Sequence, residues 1–338
     1  MRYKHLKNAD VDVSVIGVGT WSIGAGNYGE VEDQQSIAAI RAMIDNGVNL
    51  IDTAPAYGGG RAERVVGQAI KGYDRSKLLI STKYGVGNTS LKYKLFSMNE
   101  HEMDLQAAKG FRDASFNNVL FECEQSLRRL DTDYLDFYFC HWPDLDTPFE
   151  ETAKALNFLK KEGKIRFVGL SNFNEEQITE FEKYCKVDVI QPPYSMVVRR
   201  DEELIKWAFD RGIDSMTYGS LGAGILTGTF REVPNFEPGD PRNGFYPFFK
   251  EPYFSQVMEL LKVMDGVSEE LGGKPLAQIT INWSTQKDYV SMALCGVRTP
   301  EEAAENCAAF EWSLNDDQMK RISEAVEKYC SFGSEVAR

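Results

Sequence analysis

Short β-branched runs alternate with longer amphipathic segments along nearly the whole chain, and this order narrows the possible folds more than any other feature. VIGVGTW is followed by the helical pattern QQSIAAIRAMIDNG, VNLIDTA by AERVVGQAIKG, and LLISTK, after a long polar segment, by FNNVLFECEQSLRRL. DYLDFYFCHW precedes FEETAKALNFLKKEG, IRFVGLS precedes EEQITEFEKYC, and DVIQPPY precedes DEELIKWAFDRG. IDSMTYG leads to YFSQVMELLKVMDGVSEELG and PLAQITINWSTQ, and YVSMALCG closes the series. Glycine stands just past several helical patterns, at Gly47, Gly72, Gly163 and Gly212, where helices commonly stop. Strand-then-helix units imply parallel strands joined by right-handed crossovers, and eight of them predict a closed (β/α)8 TIM barrel rather than an open sheet. No linker interrupts the series, so residues 1–338 are expected to form a single barrel domain.

Composition excludes several function classes. A net charge of -13 lacks the basic face that a nucleic-acid duplex requires. No apolar run approaches the roughly 20 residues of a membrane span, and MRYKHLKNAD lacks the apolar stretch of a signal peptide, so the expected location is cytoplasmic. The six cysteines, Cys123, Cys140, Cys185, Cys295, Cys307 and Cys330, show no CxxC pairing and read as reduced apolar residues. With three histidines and no close cluster of metal-ligand types, no metal site is expected.

Two long connections, residues 85–115 and 229–253, follow the third and seventh strands and so belong to the barrel face where active sites sit. The first, with GNTS and NEHEMD, is expected to cover the substrate. The aromatic stretch around Phe245 to Phe249 and the tail CSFGSEVAR are further candidates to shape the pocket. At the N-terminus, RYKHL and VDVSV predict a hairpin that plugs the opposite face.

Polar residues gather where the strands end. In order these are Thr20 and Trp21, Asp52 and Tyr57, Lys83, His141, Ser171 and Asn172, Gln191, and Tyr218. Asp52 leaves the apolar run VNLI, where a charge needs a partner. Each residue alone has an ordinary explanation: a cap, a solvated lysine, a core histidine. Seven consecutive strand ends carrying such groups do not.

GVGTW, IDTAPAYGGGRAERVVG, STKYG, DYLDFYFCHWPD, GKIRFVGLSNF and TYGSLGAGILTG together resemble the successive signatures of the aldo-keto reductase superfamily, and GVRTPEEAAEN resembles its adenosine-binding end. The resemblance implies hydride transfer between NADP or NAD and a small carbonyl or polyol, a sugar-derived one included, with a catalytic tetrad mapping onto Asp52, Tyr57, Lys83 and His141. In that mapping Tyr57 donates a proton as charge develops on the carbonyl oxygen, Lys83 lowers the phenol's pKa, Asp52 keeps Lys83 charged, and His141 orients the oxygen. The resemblance also implies cofactor contacts from Gly19, Thr20, Trp21 and Asp52; nicotinamide contacts from Ser171, Asn172 and Gln191, with Tyr218 stacking on the ring; and a pyrophosphate cradle at Gly219, Leu221 and Gly222. Gly296, Arg298, Glu302, Glu305 and Asn306 would hold the adenosine end. Glu302 stands where the family usually shows arginine or glutamine, which predicts weaker discrimination in favour of a 2'-phosphate. Ser22 breaks a GxGxxG reading of GVGTWSIG, so a Rossmann site is not expected. Two other readings compete: a nicotinamide-binding regulatory subunit of the same fold in a channel assembly, and a barrel lyase or metal hydrolase.

Overall fold

The computed structural model describes residues 1–6, 8–24, 32–86, 111–238 and 240–335. Eight strands close into a parallel barrel: β3 (Ile16–Gly19), β4 (Leu50–Asp52), β5 (Leu79–Tyr84), β6 (Leu135–Cys140), β7 (Ile165–Ser171), β8 (Val189–Gln191), β9 (Asp214–Thr217) and β10 (Met292–Gly296), with β10 pairing back onto β3. Every strand of the expected series is present. Several are shorter than their apolar runs. In DVIQPPY the strand stops at Gln191, because Pro192 and Pro193 have no amide hydrogen to continue the ladder.

The helices follow from apolar spacing and end signals. In Phe116–Leu130, Val119, Cys123, Leu127 and Leu130 are buried along one face, and Asp131 closes the helix in the left-handed conformation at φ 54°. Asn174 caps Glu175–Phe181 by a reciprocal pair with Gln177.

Inside the barrel, Leu50, Leu79, Phe137, Phe139, Val189, Met216, Met292 and Leu294 form a closed apolar layer. The large rings need small neighbours: a Cβ on Gly169 would lie 2.2 Å from the Phe139 ring. The N-terminal hairpin, β1 (Tyr3–Leu6) with β2 (Val11–Ser14), adds Leu6, Ala9 and Val13 to this layer. Leu50, Leu79 and Val189 open their strands, so the hairpin plugs the face opposite the strand C-termini.

Of the two long connections, residues 87–110 lie outside the described residues, and with them the expectation of a substrate cover. The second is packed. Phe230, Phe236 and Phe249 meet edge-to-face with centroids 5.0–5.5 Å apart, and Arg242, paired with Asp240, lies 4.2 Å from the Phe236 ring centre. Phe245 stays exposed and reaches Trp21, 6.2 Å between ring centres. The tail is held by buried Arg199, which donates to the carbonyls of Met196 and Cys330, while its own amide donates 2.6 Å to the Gly333 carbonyl. It therefore docks against the turn after β8. All six cysteines are buried and free.

Candidate active site

Register builds the site. Asp52, the last residue of β4, sits beside Gly19 of β3 and Ser81 of β5. On β5 side chains alternate, so Ser81 and Lys83 share the inward face and Thr82 faces the surrounding helices. Ser81 Oγ donates to Asp52 Oδ1 at 2.7 Å, and Lys83 Nζ donates to Asp52 Oδ2 at 2.7 Å and to the Thr53 carbonyl at 2.9 Å. Gln191 Nε2 adds a donation to Asp52 Oδ1 at 3.0 Å. Lys83 is fully buried and Asp52 nearly so. Burial alone pulls the Lys83 pKa down, but Asp52 and then Tyr57 outweigh it, and the net direction is upward. The ammonium is thus held charged in the interior.

Tyr57 follows β4 in a tight turn. The turn leans on the single helical turn α1 (Trp21–Gly24): a Cβ on Gly24 would fall 2.4 Å from the Tyr57 carbonyl carbon, and one on Gly58, at φ 64°, 2.3 Å from the Gly24 carbonyl oxygen. Glycine at both places is what lets the backbones touch. Lys83 Nζ lies 5.0 Å from the Tyr57 ring centre, and the ring meets His141 edge-on at 5.8 Å. The His141 carbonyl accepts from Asn172 Nδ2 at 2.8 Å, and Asn172, at φ 67°, accepts from Tyr218 Oη at 3.0 Å. Ser171 Oγ donates to the Gln191 carbonyl at 2.9 Å. One connected set of contacts therefore joins Asp52, Tyr57, Lys83, His141, Ser171, Asn172, Gln191 and Tyr218 on the face where the strands end.

Around this set the structure places groups suited to an extended anionic ligand. Gly219, at φ 72°, has open space where a Cβ would project, and Gly222, at φ 57°, continues the turn. Beside them the buried Ser220 Oγ has no partner among the described residues, nor has Ser22 Oγ, 3.8 Å from where a Cβ on Gly296 would sit. Orphaned buried hydroxyls beside glycine-rich backbone fit a bound dinucleotide. Ser22, which breaks the GxGxxG reading, thereby becomes a candidate contact in its own right. Thr20 is tied to β4, donating from its amide and its hydroxyl to the Asp52 carbonyl at 3.2 and 3.0 Å. Farther along the rim, Arg298 and Glu302 pair with each other: the Arg298 amide donates to Glu302 Oε2 at 2.8 Å, and the guanidinium stands 3.3 Å from Oε1. Asn306 is buried and Glu305 exposed. No cluster of metal-ligating residues occurs among the described residues.

The sequence did not single out Ser81, the Thr53 carbonyl or the bond from Gln191 to Asp52. Two-residue alternation on β5 was a usable signal for Ser81; the backbone carbonyl left none.

A parallel barrel with a buried Asp52–Lys83 pair beside Tyr57 and His141 defines the class: the chain belongs to the aldo/keto reductase family, whose model matches residues 15–327. Among particular relatives, it is 36% identical over 333 residues, 98% of this chain and 95% of the other, to the aldo-keto reductase YhdN of Bacillus subtilis. It is 33% identical to the NADH-specific methylglyoxal reductase of Escherichia coli, covering 96% of this chain and 98% of the other. The glycerol dehydrogenase of Gluconobacter oxydans superposes with a TM-score of 0.84 at 31% identity, covering 97% and 95% of the two chains.

Proposed function

We propose that this chain interconverts a small polar carbonyl and the corresponding alcohol, using NAD(H) or NADP(H), with Tyr57 as general acid in reduction and general base in oxidation. The observation that carries the reading is the buried Lys83 ammonium, fixed by Asp52 and the Thr53 carbonyl and set 5.0 Å from the Tyr57 ring centre. A free tyrosine titrates near ~10, and working at neutral pH takes a shift of about 3 units, or on the order of 4 kcal/mol. A cation beside the phenol favours the phenolate and supplies much of that shift. The raised Lys83 pKa gives the sign: the ammonium persists at and below the ordinary lysine range, and its contribution is lost only as pH rises through its own elevated value. Near neutral pH the proton that moves therefore belongs to Tyr57. His141, edge-on to that ring, orients the substrate oxygen.

A bound nicotinamide supplies or takes the hydride. Ser171, Asn172 and the Gln191 oxygen would meet its carboxamide, Tyr218 its ring, and the turn Gly219–Gly222 with Ser220 its pyrophosphate. Relatives named for methylglyoxal and for glycerol support a short oxygen-rich substrate, and the NADH-specific relative supports use of NADH. A nicotinamide absorbance assay across short aldehydes, keto-sugars and polyols with both cofactors tests the reading. Tyr57→Phe, which deletes only the hydroxyl, is expected to lower turnover by at least ~10² with cofactor affinity unchanged. Near-normal turnover in that variant would remove Tyr57 from the chemistry.

A further inference from the structure

Behind the site, on the outward side of β5, lies a buried carboxylate that the proposed chemistry does not use. Glu63 is fully buried on α3 (Arg61–Ala69). Its Oε1 accepts from Thr82 Oγ1 at 2.7 Å, and its Oε2 pairs with Arg129 Nε of the helix Phe116–Leu130. Thr82 is the residue immediately before Lys83. α3 in turn grows directly out of the Tyr57 turn: the Tyr57 carbonyl accepts from the Ala62 amide at 3.3 Å, and the Gly58 carbonyl from the Arg61 amide at 3.2 Å. Arg129 also fills the space over the end of that turn, since a Cβ on Gly60 would lie 2.5 Å from its Cδ. One carboxylate thus fastens the helix that continues the Tyr57 turn to the strand that carries Lys83, from outside the barrel.

We infer that Glu63 is a positioning residue, whose bonds to Thr82 and Arg129 set the spacing between the Tyr57 phenol and the Lys83 ammonium. The inference rests on the roles proposed for those two groups. A charge–charge interaction varies inversely with distance and is strong where water is excluded, so a small relaxation of α3 against β5 weakens the coupling without touching either side chain. A buried carboxylate kept only for packing could be replaced by an isostere with no effect on the phenol.

The test uses Thr82→Val, which keeps the shape and deletes the donor, and Glu63→Gln, which keeps an acceptor for Thr82 and removes the charge facing Arg129. In full-length protein labelled at the tyrosine ζ-carbon, the Tyr57 signal is assigned by its loss in Tyr57→Phe and titrated by NMR without substrate. The Tyr57 midpoint is expected to rise in Thr82→Val by a few tenths of a unit, and turnover to fall about threefold to tenfold at unchanged cofactor affinity. The same Tyr57 midpoint in Thr82→Val and wild type would overturn the inference, whatever happens to thermal stability. Because the titration needs no turnover, absence of nicotinamide-linked activity in the wild type would refute the proposed reaction and leave the positioning result standing. If Glu63→Gln does not fold, Thr82→Val decides alone.

Discussion

Two cation–carboxylate pairs stand on the same rim of the barrel and differ in almost every physical respect. Lys83 and Asp52 are 2.7 Å apart with their side chains 0% and 3% exposed, and Ser81, Gln191 and the Thr53 carbonyl complete their hydrogen bonds. Arg298 and Glu302 are 3.3 Å apart, 49% and 40% exposed, four residues apart at the start of a helix. In the first pair, desolvation makes each charge depend on the other, so the geometry has one solution. In the second, water and salt compete, and the pair can exchange partners at little cost. The contrast matches the tasks proposed for each: fixing a proton donor within tenths of an ångström, and meeting a ribose that carries either a hydroxyl or a phosphate.

Asp52→Asn leaves a buried ammonium without its counter-charge, and destabilisation by about 3–5 kcal/mol is expected at neutral pH, together with loss of turnover. Denaturant unfolding measures it, and a loss below 1 kcal/mol would mean that Lys83 sheds its proton or finds water. Raising salt from about 0.1 to 1 M shortens the screening length from ~10 to ~3 Å, so NADPH affinity is expected to weaken several-fold while saturated turnover holds. A parallel loss of turnover would place the Asp52–Lys83 pair in contact with solvent. Smallest of all, Glu302→Gln frees Arg298 for a 2'-phosphate, and a gain of at most about fivefold in NADPH affinity is expected, with NADH nearly unchanged. Equal shifts for both cofactors, read by fluorescence titration, would break the assignment of this pair to the ribose.

How much of this was legible in the sequence follows the same division between local and distant determinants. Strands and helices were readable because apolar periodicity and the stops at Gly47, Gly72, Gly163 and Gly212 are local, and all four glycines adopt positive φ. Asp52, Lys83 and His141 were legible as polar residues at the ends of apolar strands, since parallel barrel order forces such ends together. Gln191 is legible as a strand-end polar residue and is proposed as a nicotinamide contact, but the bond of its amide nitrogen to Asp52, 139 positions away along the chain, is fixed only by register. The same holds for the pairing of Tyr218 with Asn172 and for the packing of Phe230, Phe236 and Phe249, which an aromatic-rich composition foretells only as a tendency.

If the buried Lys83 ammonium tunes the Tyr57 phenol, the pH dependence of carbonyl reduction must carry its imprint. At saturating substrate and cofactor, the rate should fall on the alkaline side as Tyr57 loses the proton it must donate. In Lys83→Met that limb is expected to move to higher pH while the plateau below it drops, because the phenol without its cation becomes a weaker acid. A limb that stays in place in Lys83→Met would mean that Lys83 does not set the acidity of Tyr57.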